Sequence, residues 1–172
     1  KALPRTAQFA SYIGLIYLFL TFVCMLSYHF AGMTFFDAIA HAMTTIATGG
    51  FSTYDTSFSH YDEPWIEITA IVFMLAGSIP FILYLKFIRG STGALFTDSQ
   101  VRWFLSIVTF LVFMMTTYLI WQNNWGFGDA LLRSAFNIIS IMTGTGYASA
   151  NFQLWGGFAM SLFFFVMVIG GC

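Results

Sequence analysis

Two stretches of this sequence carry chemistry-bearing residues in apolar surroundings: "ATGGFSTYD", from Ala47 to Asp55, and "TGTGYASAN", from Thr143 to Asn151. Both are glycine-rich and hydroxyl-bearing, and both follow a short apolar run. Glycine admits backbone conformations that other residues avoid, and an extended stretch built on it can turn consecutive carbonyl oxygens toward one axis. A threonine hydroxyl adds a further oxygen at the inner end. Oxygens so arranged replace the water shell of a monovalent cation, so the chemistry indicated is coordination without bond making. A phosphate-binding loop would need a preceding strand and a Gly-Lys-Ser/Thr ending, and neither is present. Helix-packing glycines would sit in small-xxx-small order within a span, as Gly77 could, and not in a pair after a short helix.

Such loops need elements to hold them at depth. Of the 172 residues, 59% are hydrophobic and 8% charged, and the mean hydropathy is +0.81. Soluble domains carry roughly 25% charged residues, so this is the composition of an integral membrane protein. Four long apolar segments are read as spans: Ser11 to Phe30, Trp65 to Leu85, Trp103 to Trp121 and Gly157 to Cys172, the last still apolar where the sequence stops. Between them lie Phe35 to Ala47 and Ala130 to Met142, each 13 residues long. Runs of about 10 to 14 apolar residues are too short to cross a core of about 30 Å and are candidate re-entrant helices. Thr34 with Asp37 has the spacing of a capping box, and Asp129 is placed to cap the second short helix. Pro80, after Gly77-Ser78, should kink the second span.

The order span, short helix, glycine-rich stretch, span occurs twice. Placing Gly50 on Gly146, an offset of 96 residues (146 minus 50), also places His41 on Asn137, Thr44 on Ser140, Phe51 on Tyr147, Thr53 on Ser149 and Asp55 on Asn151. The expected fold class is therefore all-α and membrane-integral, with two repeated units at 1–86 and 103–172 joined by a connection at 87–102. Lys1, Arg5, Lys86, Arg89 and Arg102 flank the segment ends away from the loops, which puts that side in the cytoplasm and both loops facing outward. Asp37, Asp55, Asp62, Glu63, Glu67 and Asp129 gather toward the outer side, where they would concentrate cations.

Several other residues are read as structural. His41 on the first short helix is expected to make a structural hydrogen bond, and Asn137 the same. Arg133 is expected to pair with Asp129, four positions before it, or to bond loop carbonyls. Trp65, Trp125, Trp155, Tyr61 and Tyr118, with Trp103 and Trp121, are placed as interfacial aromatics. Cys24 and Cys172 have neither disulfide nor metal spacing, and no Ser/His, paired Asp or His/Glu cluster lies within the spans, so enzymatic chemistry is not expected. The sequence also begins at a lysine, and a longer polypeptide is expected.

"TTIATGGFSTYD" (Thr44 to Asp55), "SIMTGTGYASANFQLWG" (Ser140 to Gly156) and the terminal "IGGC" (Ile169 to Cys172) resemble the Trk/Ktr superfamily of potassium transporters, its TrkH-type subunits most closely. The resemblance covers most of the chain. It implies four helix, pore-loop, helix units around one potassium pathway, of which the second and third correspond to this chain. It makes Gly50 and Gly146 the filter glycines, with Thr48, Gly49, Gly144 and Thr145 as further carbonyl donors. It also implies that Gly170, Gly171 and Cys172 begin an intramembrane gate in the broken second helix of the third unit. Potassium is then the substrate, with no covalently bound cofactor. Lipid, a second pore subunit and a cytosolic nucleotide-binding ring of TrkA type are the implied partners; nucleic acid is not. The implied location is the bacterial inner membrane, crossed several times. Neither loop has the full Thr-Val-Gly-Tyr-Gly order of potassium channels, which leaves a looser filter for sodium, potassium and rubidium open. A structural, non-transporting membrane subunit is the other alternative.

Overall fold

The computed structural model describes residues 3–90 and 93–170, and among them it contains helices and turns without strands. The first helix, α1 (Leu3–Phe30), carries an apolar stretch of 24 residues, Ala7–Phe30. At 1.5 Å per residue that is about 36 Å, enough to cross a bilayer core. Leu18, Phe19 and Phe22 lie exposed on it, as lipid-facing side chains should. After Gly32 the chain turns into the short helix α2 (Phe35–Ile46). The capping signal is realised here: the Thr34 hydroxyl accepts the Asp37 N–H at 3.2 Å and donates to Asp37 Oδ2 at 2.7 Å. The hydroxyl thus serves an orphan helix donor and the carboxylate together.

The second long segment departs from expectation. It forms α3 (Pro64–Ser78) and α4 (Phe81–Ile88), which meet at 87°, a broken element in place of a kinked span. Pro80 has no N–H to continue the ladder, and it forces the residue before it out of helical backbone. Ile79 accordingly has ψ of 134°. Tyr84 donates its hydroxyl to Ala76 O at 2.7 Å across the bend and holds the turned helix in place.

A single turn, α5 (Ala94–Thr97), leads to α6 (Ser99–Asn123), the second helix long and apolar enough to span. Asp98 caps it through Oδ1, which accepts from Gln100 N at 2.9 Å and Val101 N at 3.3 Å. The second short helix, α7 (Phe127–Met142), begins three residues earlier than expected. Gly126 is its N-cap, so Asp129 lies inside the first turn and makes no capping hydrogen bond, contrary to the sequence reading. Its charge still favours the positive end of the helix dipole. The last helix, α8 (Gly157–Ile169), is about 20 Å long, too short to cross alone over its described length.

The halves interlock through α7, which packs on α6 and α8 of its own half and on α3 of the other. Helix α3 turns Ile66, Glu67, Ala70 and Met74 inward, a stripe at helical spacing. Phe58, on the 3-10 turn Ser57–His60, is fully buried, with ring centroids 4.4 Å from Tyr147, 5.1 Å from Phe136 and 5.2 Å from His41. Trp65, Trp103 and Trp121 lie exposed as interfacial residues should. Trp155 does not: it is 3% exposed and packs on Trp125 and Phe163.

Candidate functional site

The two glycine loops adopt one backbone course in the register that the sequence offset sets. Ala47 N–H donates to Met43 O at 3.2 Å and Thr143 N–H to Ile139 O at 2.9 Å; next, Thr48 N–H reaches Thr45 O and Gly144 N–H reaches Ile141 O, both at 3.1 Å. Left-handed backbone follows at equivalent positions. Thr48 has φ of 49° and Gly144 of 75°, then Gly50 has 68° and Gly146 85°, while Gly49 and Thr145 between them do not have positive φ. The return strands are pinned alike, by Thr44 Oγ1 donating to Phe51 O at 2.8 Å and Ser140 Oγ to Tyr147 O at 2.7 Å.

Thr48 is the costly member of this set. A β-branched residue in left-handed backbone pays roughly 1–2 kcal/mol, and strain of that size is characteristic of functional segments. Gly50 has a second constraint: a Cβ there would collide with the Thr145 carbonyl oxygen and lie 2.9 Å from Thr145 C. The loops therefore touch backbone to backbone at this glycine. Gly49, Gly144 and Gly146 are exposed, while the Thr145 side chain is turned away and bonds Thr143 Oγ1 at 2.8 Å.

A cavity of about 510 Å³ adjoins the loops. Thr48 of the first motif and Thr143, which heads the second, line it, together with the bend at Gly77 to Pro80 and with Ile169 and Gly170 at the end of α8. Helices α2 (Phe35–Ile46) and α7 (Phe127–Met142) end beside it, so the negative ends of their dipoles are directed at this space. Gly170 packs so closely on the end of α7 that a Cβ would strike the Met142 carbonyl oxygen and come within 2.8 Å of Met142 Cα. Gly77 does the equivalent at the end of α2, where a Cβ would lie 3.0 Å from Ile46 O. Gly171 and Cys172 lie outside the described residues.

Behind the loops, the expected structural roles are filled. His41 Nδ1 bonds Asp37 O at 2.8 Å and Nε2 bonds Ser52 Oγ at 3.0 Å. Asn137 Nδ2 donates to Arg133 O at 2.8 Å and to Ser149 Oγ at 3.1 Å. Arg133 does reach a loop carbonyl, that of Ser149, but its acidic partner is Glu67 on α3 and not Asp129. Nothing in local spacing could have found Glu67, 66 residues away. Tyr147 is also more than an equivalent of Phe51. Its hydroxyl donates to His41 O at 3.2 Å and bonds Thr44 and Thr45 on the other half's short helix, whereas Phe51 is 78% exposed.

Asp37 anchors the first return strand, accepting from Thr53 Oγ1 at 2.7 Å and Tyr54 OH at 3.2 Å. Burial works against its charge, but the hydroxyls of Thr34, Thr53 and Tyr54, with His41 nearby, hold the carboxyl below its ordinary range. A depressed carboxyl contributes stability above its unfolded pKa and loses it as pH falls through the folded one. The unfolding temperature in detergent should therefore drop as pH falls below about 4, the ordinary aspartate value, with Asp37→Asn flattening that slope. A slope identical in the variant would remove Asp37 from this role.

All 172 residues match the family model TrkH, described as a cation transport protein. The Trk system potassium uptake protein TrkI of Halomonas elongata is 38% identical over 173 residues, which cover all of this chain and 35% of that protein. The Trk system potassium uptake protein TrkH of Escherichia coli is 34% identical over 176 residues, again covering all of this chain and 36% of its relative. The crystal structure of the potassium transporter TrkH from Vibrio parahaemolyticus superposes with a TM-score of 0.92 at 35% identity, over 98% of this chain and 37% of that one. The chain thus spans about a third of the length of these relatives. With its apolar helices, its repeated loops and a match along its whole length, the chain belongs to the TrkH family of cation transport proteins.

Proposed function

We propose that this chain forms half of a potassium pathway: two adjacent helix, pore-loop, helix units (1–86 and 103–172, joined by 87–102) of a TrkH-type uptake subunit. The observation that carries the reading is the pair of re-entrant helices ending in loops of equal register, with left-handed backbone at 48 and 50 and again at 144 and 146, beside one shared cavity. Alternating backbone handedness turns successive carbonyls to one side, and Thr48, Gly49, Gly50, Gly144, Thr145 and Gly146 are the proposed donors. Two loops cannot encircle an ion, so two further units complete the ring. Gly170, Gly171 and Cys172 begin the gate, a reading supported by Gly170 lining the cavity that adjoins the loops. The basic residues Arg89 and Arg102 of the 87–102 connection support a cytoplasmic side for it, with the loops opening outward from a bacterial inner membrane. There it would meet anionic lipid and a nucleotide-binding regulatory ring of TrkA type, below a homodimer of pore subunits.

The experiment is potassium against sodium uptake by the full-length protein with Gly146→Ser. Gly146 has open space around it, so the variant tests the φ of 85° and the carbonyl placement without a collision. Selectivity should fall; an unchanged ratio removes the filter assignment. Rubidium flux into proteoliposomes separates transport from a structural role, which predicts none. A looser monovalent filter is favoured if sodium already competes in the unsubstituted protein, as the non-standard glycine order allows.

A further inference from the structure

The two return strands are tied to the same positions of their short helices, but with opposite charge. Asp37 holds Thr53 in the first half; 96 residues on, Arg133 holds Ser149 in the second, its Nη1 donating to the Ser149 carbonyl at 2.5 Å. Asn137 completes the hold on Ser149, accepting its N–H through Oδ1 at 3.4 Å and donating to its hydroxyl. A guanidinium at this place has an electrostatic cost that Asp37 does not have, because it stands beside a cation pathway and repels what must pass. The structure sets Glu67 against that charge, its Oε1 accepting from the same Nη1 at 2.5 Å. Glu67 is 2% exposed, and its second carboxylate oxygen has no hydrogen-bond partner among the described residues. A buried carboxylate satisfied on one side only is a poor device for stability alone, since the desolvation cost of such a pair rivals its attraction.

Glu67 also lies on α3, whose other end packs Gly77 against the base of the first loop. One helix of about 22 Å thus meets Arg133, which holds the exit of the second loop, and the base of the first loop. We propose that Arg133, paired with Glu67, is a selectivity-determining positioning residue: it holds the Tyr147 to Ser149 strand, and through it the carbonyls of Gly144 to Gly146, in register with the first loop. The inference rests on the potassium pathway proposed above.

The test uses full-length protein in proteoliposomes and reads rubidium uptake with potassium or sodium as competitor. Arg133→Gln with Glu67→Gln removes both charges and leaves a neutral polar group at each position, with no buried ion uncompensated. The potassium preference should fall about tenfold while total flux stays within a few-fold, since a hydrogen bond from a charged donor to the strand is lost. Arg133→Lys keeps the charge facing Glu67 but not the planar fork, and should give an intermediate preference. Glu67→Gln alone leaves the guanidinium unpaired and should slow all cations, most at low ionic strength. An unchanged preference in the double variant overturns the inference, and if that variant does not accumulate, an unchanged preference in Arg133→Lys does so. Absence of flux from the unsubstituted protein would instead overturn the pathway reading and this inference with it.

Discussion

On the potassium pathway proposed above, Gly50→Ala should lower selective uptake by the full-length protein by more than about tenfold, whereas Gly146→Ala should weaken it less. Both glycines have left-handed backbone, so either substitution costs roughly 1–2 kcal/mol in local strain. The difference lies in their surroundings. Nothing stands within 4 Å of where a Cβ on Gly146 would be, whereas one on Gly50 meets the Thr145 carbonyl, the oxygen that the second loop would offer to an ion. Backbone cannot swing aside as the end of a flexible side chain can, so the loops must part by more than the tolerance of an ion-coordinating site. Rubidium uptake should fall by more than about tenfold in Gly50→Ala, since a displacement of about 1 Å in a positioned site costs on the order of a hundredfold. Equal losses in the two variants would show that φ alone matters and that the contact between loops does not.

Phe58→Ala should be the most destabilising single change at the junction of the halves, by about 3–5 kcal/mol. Its ring is fully buried between Tyr28 and His41 of its own half and Phe136 and Tyr147 of the other. The neighbours are held by hydrogen bonds, Tyr28 to Thr45 Oγ1 at 2.8 Å and Tyr147 to His41 O, so they cannot collapse into the space vacated. The backbone nearby also crosses between halves: Ser59 N–H donates to Ala148 O at 3.2 Å and Ala148 N–H to Ser57 Oγ at 3.3 Å. Loss of the ring should therefore loosen the second loop's exit as well as lower the unfolding temperature. Phe58→Leu, which refills most of the volume, should recover more than half the loss. A melting temperature unchanged in the alanine variant would mean that the halves are held together elsewhere.

Much of the molecule is determined locally and so was readable along the chain. Spans and re-entrant helices follow from the lengths of apolar runs against a fixed bilayer thickness. The Thr34 cap follows from a hydroxyl three residues before an orphan N–H, and the positive-φ glycines from backbone sterics, both of which act over a few residues. The repeat was legible for the same reason: the bonds from Thr44 to Phe51 and from Ser140 to Tyr147 each join residues seven apart, so the offset of 96 carries them along unchanged. Where local readings competed, the chain alone was a weaker guide. Asp129 had the type for a cap, but Gly126 starts the helix earlier, and a proline expected to kink a span breaks it by 87°.

Tertiary structure alone decided the partners that packing brings together from distant parts of the chain. Arg133 has an acid four residues before it, yet its guanidinium is taken by Glu67, because α3 lies against α7 with its inward stripe facing the short helix. Tyr147 and Phe51 are equivalents by sequence, and only assembly separates them: Tyr147 has the other half's helix to bond, and among the described residues nothing covers Phe51. The contact of Gly50 with the Thr145 carbonyl is of the same kind. Steric and dipolar preferences of single segments specify which loops form, while the close packing of the two halves specifies where their oxygens stand relative to one another.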